Sequence, residues 1–189
     1  MIVETKRIED GVPETVISDR CLIHRHRRED ADEIFYAYAS KPEATRFVVW
    51  PVHHSVDETR AYLRYAIAAW KAGTTFAFTV RLKYPQRLIG SIGLVPDGEY
   101  WQVGYILSPS MWGRGLATEM LQAVLQMPVI QATGKLKSFV NPDNTASIRV
   151  LEKAGFIHYG EVRDGIVFPN VGPERRPCLE FRLSPSRIG

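Results

Sequence analysis

The chain has 189 residues, 45% hydrophobic and 24% charged, with a formal net charge of +3, the profile of an ordinary globule read as a single domain over 1–189 with its core over about 20–183. It is too weakly basic to argue for nucleic acid, no apolar run approaches the ~20 residues that cross a bilayer, and the N-terminus lacks the pattern of a signal peptide. Cys21 and Cys178 fit neither a metal spacing nor a disulfide framework, so the expected setting is the cytoplasm, with no metal and no membrane.

Residues 1–18 read as mixed and partly loop. Arg20–Arg28, RCLIHRHRR, alternates loosely and predicts a first strand. Its basic residues suit a solvated edge strand, where Lys and Arg discourage aggregation, better than a nucleic-acid patch. His24 and His26 share one strand face but lack a third ligand, which makes a poor metal site. From Glu29 to Ser40, Ala31, Ile34, Phe35 and Tyr38 form a helical stripe, and Pro42 ends it. Arg46–His54, RFVVWPVHH, has no regular period; its aromatics either line a pocket or pack over the core. His53 and His54 are adjacent and point apart; either can face a pocket, and a surface role is expected.

Ser55 and Glu58 form an S-x-x-E capping box for a helix carrying Val56, Leu63, Ile67 and Trp70 on one face, closed by Gly73. Thr75–Arg81, Arg87–Val95 and Tyr100–Leu107 then predict an antiparallel meander turned at Tyr84-Pro85-Gln86 and Pro96-Asp97-Gly98. A second helix runs from about Leu116 to Met127. It is so apolar that only Glu119, Gln122 and Gln126 are expected to face water. Lys135–Val140 is a strand, Thr145–Ala154 a short helix stopped by Gly155, Phe156–Val162 a strand, Arg163–Pro177 a long loop, Cys178–Leu183 the last strand and SPSRIG a tail. The crossover through the Leu116 helix makes Tyr100–Leu107 and Lys135–Val140 the expected parallel pair.

The turn Gly113-Arg114-Gly115 joins the end of a strand to the start of a helix. Such a corner offers unpaired backbone N–H groups and the positive end of a helix dipole, which suits a phosphate. Glycine lets the backbone approach the anion closely, and Arg114 adds charge. Taken alone, the turn is equally an ordinary connection.

Three stretches decide between the two. IGSIGL at Ile89–Leu94, VGYILSPSMWGRGLATEML at Val103–Leu121 and NPDNTASIRVLEKAGF at Asn141–Phe156 resemble the GNAT acetyltransferase superfamily in their order and spacing. RFVVWPVHHSVDETRAYL narrows the resemblance to the branch of RimJ- and RimL-like ribosomal-protein N-terminal acetyltransferases. The resemblance implies a mixed α/β (α+β) GNAT fold, a mostly antiparallel sheet with one splayed parallel pair, flanked by helices. It also implies acetyl-CoA as co-substrate. The pyrophosphate would lie on Ser110, Trp112, Gly113, Arg114, Gly115, Leu116, Ala117 and Thr118. The pantetheine arm would pair with Ile106 and Leu107 like an extra strand, near a backbone N–H that steadies the tetrahedral oxyanion, and Ser108 would also contact the cofactor. Asn144 and Ser147 would hold the arm, and Lys153 and Arg114 would meet nucleotide phosphates. Phe47, Trp50, His54, Tyr100 and Phe168 are the expected acceptor walls.

The chain departs from the family pattern where acid–base chemistry is concerned. Gln102 stands where many members carry a Glu base, Leu151 where many carry a Tyr acid, and Ser110 where Gln or Arg often opens the glycine motif. Ser147 and Gln102 are the remaining catalytic candidates. Without a strong base, the acceptor must supply its own neutral amine. Near pH ~7.4 an α-amine is roughly a fifth to a third neutral and a lysine only about 0.1%. The expected function is therefore acetyl transfer by direct attack on a peptide or protein N-terminal α-amine, in a monomer or homodimer. A small-molecule amine (antibiotic, polyamine or amino acid) is the second reading, and a CoA-binding module without catalysis the third.

Overall fold

The computed structural model describes residues 11–183, so the first ten residues of the N-terminal stretch and the SPSRIG tail lie outside the described residues. In chain order the elements are β1 (Thr15–Ile17), β2 (Cys21–Arg25), α1 (Ala31–Ile34), α2 (Pro42–Thr45), α3 (Val56–Lys71), β3 (Phe76–Leu82), β4 (Arg87–Asp97) and β5 (Tyr100–Leu107). They continue with α4 (Leu116–Leu125), α5 (Pro128–Thr133), β6 (Leu136–Val140), α6 (Thr145–Ala154), β7 (Phe156–Val167) and β8 (Arg175–Leu183). The strands form one eight-stranded sheet ordered β1-β2-β3-β4-β5-β6-β8-β7.

Neighbouring strands are antiparallel except β5 and β6, which run parallel and pair only at Trp101 with Leu136 and Gln102 with Lys137. Beyond Gln102 the two diverge and leave a gap in the sheet. Gly90 helps to open it: a Cβ there would sit 2.2 Å from the Ile106 carbonyl oxygen, so glycine lets β5 lie close against β4. On one sheet face α4 buries Met120, Leu121 and Val124 in the main core with Ile92, Leu94 and Val103. On the other, Ile34, Tyr38 and Leu63 pack with Leu88 in a smaller core.

Local chemistry places the helices as read. Ser55 Oγ accepts from the Glu58 N–H at 3.3 Å, while the Glu58 carboxylate accepts from His54 N at 2.9 Å, one residue ahead of the cap. Gly73 and Gly155 end their helices at φ 69 and 96. The Glu29–Ser40 segment is not one α-helix: a 3-10 turn over Arg28–Asp30 leads into α1, which widens into a π-turn over Phe35–Ala39.

Four expectations are corrected. β2 is not an edge strand; the three-residue β1, too short to show a period, covers it, and His24 and His26 are buried. Glu119 does not simply face water. It accepts hydrogen bonds from Ser18 Oγ, Arg20 N and Arg20 Nε and so ties α4 to the β1–β2 turn. The helix read over about Leu116–Met127 ends at Leu125, and a separate short helix, α5, begins at Pro128. Arg163–Pro177 is not a long loop, because β7 runs to Val167 and β8 starts at Arg175. Gly165 allows this close pairing, since a Cβ there would lie 2.0 Å from the Arg176 carbonyl oxygen. Pro177 falls within the register shift between Val162 and Ile166, where a regular ladder hydrogen bond is not required.

Candidate active site

Strand alternation decides which backbone groups face the gap. Trp101 N donates towards β6, to Lys135 O at 2.8 Å, and Ser108 N donates towards β4, to Ile89 O at 2.7 Å. Odd-numbered residues of β5 therefore present their N–H and C=O to the gap and even-numbered ones to β4. Val103 O is taken by Ser138 Oγ at 2.9 Å and Leu107 O by Trp112 Nε1 at 3.1 Å. Both polar groups of Tyr105 and the N–H of Leu107 remain directed at the gap. Ile106 is not among them, for it pairs with Ser91 across an unbroken register.

Beyond β5 the chain turns through Ser108–Gly115 into α4. Gly113 and Gly115 are left-handed at φ 75 and 73, and a Cβ on Gly113 would meet nothing within 4 Å. Gly115 is the N-cap of α4 and no side chain caps the helix. The first-turn N–H groups of Leu116, Ala117 and Thr118 are left for an anion. Leu116 is buried and anchors that turn in the core, whereas Trp112 and Arg114 are exposed. Ser108 and Ser110 share a hydrogen bond of 3.1 Å. Arg20 braces the corner from β2's side: its guanidinium donates to the Arg114 carbonyl at 3.0 Å while paired to Glu119. Burial pushes the Glu119 carboxyl up, but the hydrogen bonds from Ser18 and Arg20 outweigh it and keep the group below the usual carboxylate range.

On the α1–α3 face the gap opens into a cavity of about 270 Å³. Its floor includes Ser91, Gly93, Gln102 and Gly104, its roof Phe47, Trp50 and His53, and its far sides Ser147 and Phe168. Among the described residues no Asp, Glu, Lys or Arg side chain lines it. Asn170 clamps the roof: its Oδ1 accepts from Val52 N at 2.8 Å, and its Nδ2 donates to Thr45 O at 2.7 Å and Trp50 O at 2.9 Å. Asn144 caps α6, its Oδ1 accepting from Ser147 N at 3.2 Å, so its amide NH₂ stays available.

These features meet known proteins at one point. A family profile described as "Acetyltransferase (GNAT) domain" matches residues 20–157. The chain belongs to the GNAT acetyltransferase family. An N-acetyltransferase of Bacillus licheniformis, p20, is 26% identical over 155 residues, 80% of this chain and 86% of the relative. The fold is shared with RimJ of Mycobacterium smegmatis in complex with CoA-disulfide, at a TM-score of 0.79 and 20% identity over 94% of this chain and 90% of that one. It is also shared with RimL, a ribosomal L7/L12 alpha-N-protein acetyltransferase in complex with coenzyme A, at 0.76 and 17% over 89% and 97%.

In this GNAT acetyltransferase the expected residues fall into three groups. Gln102, Ile106, Asn144 and Ser147 line the cavity together with Phe47, Trp50 and Phe168. Ser108 through Thr118 form the glycine corner on the other side of the gap. Three residues stand apart. Tyr100 lies outside the cavity, under the Arg182 guanidinium at 4.8 Å and beside Lys137. His54 is exposed and lines no wall; its neighbour His53 does, its Nδ1 2.8 Å from Thr59 Oγ1. Lys153 is exposed in the last turn of α6, the end away from Asn144.

Sequence reasoning gave no site role to Arg20, His26 or Tyr105, and for His53 it expected the surface although it allowed a pocket. Arg20 and His26 read as strand-edge polarity because β1 carried no signal. Tyr105 looked like one more apolar strand residue, although a tyrosine in a buried strand needs a partner for its hydroxyl.

Proposed function

We propose that this chain transfers the acetyl group of acetyl-CoA to the α-amine of a peptide or protein N-terminus, by direct attack in a ternary complex. The observation that carries this reading is the cavity without a carboxylate. Acetyl-CoA supplies an acyl group already activated as a thioester. The glycine corner and the first turn of α4 suit its phosphates, and the Tyr105 and Leu107 backbone groups suit the amides of its arm. Gln102 orients by hydrogen bonding but cannot take a proton. His53, whose pKa burial lowers, is a weaker base than a free imidazole. An amine that is already partly neutral is therefore the acceptor this site serves best. A small-molecule amine is the second reading, favoured by the Asn170 clamp, which holds the roof down over the cavity.

The test is to incubate the protein with acetyl-CoA and peptides beginning Ser, Ala or Thr that also contain one internal lysine, follow thiol release and map the acetyl group by fragmentation. Acetylation at the α-nitrogen is expected. Modification of the lysine alone would sink the reading.

A further inference from the structure

The inner end of the cavity holds a histidine, His26, to which the proposed acetyl transfer assigns no role. Arg81 donates to Asp30 Oδ1 at 2.9 Å, and this ionised carboxylate can only accept. Thr79 Oγ1, 2.9 Å from Asp30 Oδ2, therefore donates its one proton there. His26 Nδ1, 2.7 Å from Thr79 Oγ1, must then donate to the threonine. The chain Asp30–Thr79–His26 fixes the tautomer, with the proton on Nδ1 and the lone pair on Nε2. Nε2 has no partner among the described residues, although His26 is 3% exposed and lines the cavity. Burial holds the His26 pKa down at about 4, which keeps the ring neutral.

The strand row that leads from His26 to the gap carries no side chain larger than that of alanine. His26 N donates to Ala77 O at 3.1 Å, Ala77 stands opposite Gly93, and Gly93 opposite Gly104. A Cβ on Gly104 would meet nothing within 4 Å, and one on Gly93 only the Phe76 carbonyl oxygen at 3.9 Å. Three strand steps of about 4.8 Å put His26 roughly 14 Å from Gly104 along this row. The imidazole takes up part of that span. The remainder accommodates an apolar or aromatic body with an amine at the gap and a donor at its other end. A charged far end is disfavoured, since no oppositely charged side chain lines the cavity to compensate its desolvation.

We propose that His26 is a specificity-determining residue: its Nε2 receives a neutral hydrogen-bond donor, a hydroxyl or N–H, at the far end of an aromatic or apolar acceptor. This rests on the acetyl-transfer reading above and selects among its acceptors.

The test compares two pairs of acceptors that differ by one hydroxyl: Tyr-Ala-Ala amide with Phe-Ala-Ala amide, and tyramine with phenethylamine. In the native protein kcat/KM should be about tenfold higher for the hydroxylated member of each active pair, because its absence leaves a buried acceptor unpaired. His26→Phe, which keeps a ring and removes the lone pair, should bring the ratio to about one. The comparison in the native protein stands even if the variant does not fold. Equal kcat/KM within the pairs would overturn the inference and leave acetyl transfer intact. Silent peptides with a tenfold ratio for the amines would sustain His26 and sink the N-terminal acceptor. If none of the four turns over, the Tm shift with CoA present decides: a larger shift from tyramine supports the role of His26, and equal or absent shifts overturn it.

Discussion

The phenol of Tyr105 on β5 lies 2.8 Å from the hydroxyl of Ser147 on α6, so one hydrogen bond spans the gap where β5 and β6 part. The same phenol lies 3.2 Å from the Ser147 carbonyl oxygen. When the phenol donates to the hydroxyl, the serine proton is free for a group in the gap; when it donates to the carbonyl, the serine proton returns to the phenol. Burial pushes the Tyr105 phenol up to about 12, so it remains protonated through the working range and serves as a donor, not a base.

Tyr105→Phe and Ser147→Ala should therefore each lower kcat by about tenfold, and the double variant should be no slower than the worse single one. Initial rates at saturating acetyl-CoA measure this. Losses that multiply would mean that the two hydroxyls act separately.

Gly113→Asp should abolish CoA binding. It strains a left-handed position and places a carboxylate beside the uncapped start of α4. Calorimetry with CoA should give no heat of binding while the circular dichroism spectrum stays native. An unchanged Kd would remove the glycine corner from the binding site.

Gly90→Val should destabilise the fold even though residue 90 lies within a strand, where valine is otherwise favoured. Its Cβ would sit 2.2 Å from the Ile106 carbonyl oxygen, and backbone cannot swing aside as a side chain can. A loss of at least about 2 kcal/mol is expected, a Tm lower by roughly 5 °C or more. A native-like Tm would show that β5 can shift towards the gap without cost.

Acid should weaken the fold before the carboxylates titrate. His26 takes up protons near 6.5 when unfolded and only near 4 when folded, chiefly because it is buried, with Asp30 opposing the shift and His24 adding to it. Its contribution is fully present above the unfolded value and is lost as pH falls towards 4, by up to about 3 kcal/mol. The Asp30 carboxyl is held low, so its own loss comes at lower pH. Urea midpoints measured through this window should fall for the native protein and stay flatter for His26→Phe. Parallel curves would show that the ring is not titrating as its burial implies.

Much of this was legible in the chain because the signals were local. Ser55, Gly73, Asn144 and Gly155 act within a few residues of themselves, and their helices begin and end where they stand. The parallel pair followed from one crossover, and the glycine corner from three residues. What was missed depends on distant partners. Three residues of β1 turn β2 from an edge into an interior strand. The glycines and prolines of Arg163–Pro177 made it look like a loop, because the register shift that admits Pro177 is a property of the paired strand. The preference of the gap for Tyr105 and Leu107 over Ile106 depends on which neighbour each backbone group faces. His26 needed Asp30 and Thr79 in place before its lone pair acquired a direction.

The far bank of the gap is held in an unusual order. β6 touches β5 through two residue pairs but β8 through four, and β8 lies between β6 and β7. During synthesis the whole glycine corner leaves the ribosome some sixty residues before Arg175. The far bank therefore owes most of the pairing of β6 to the last strand, and a chain ending before Arg175 lacks that support.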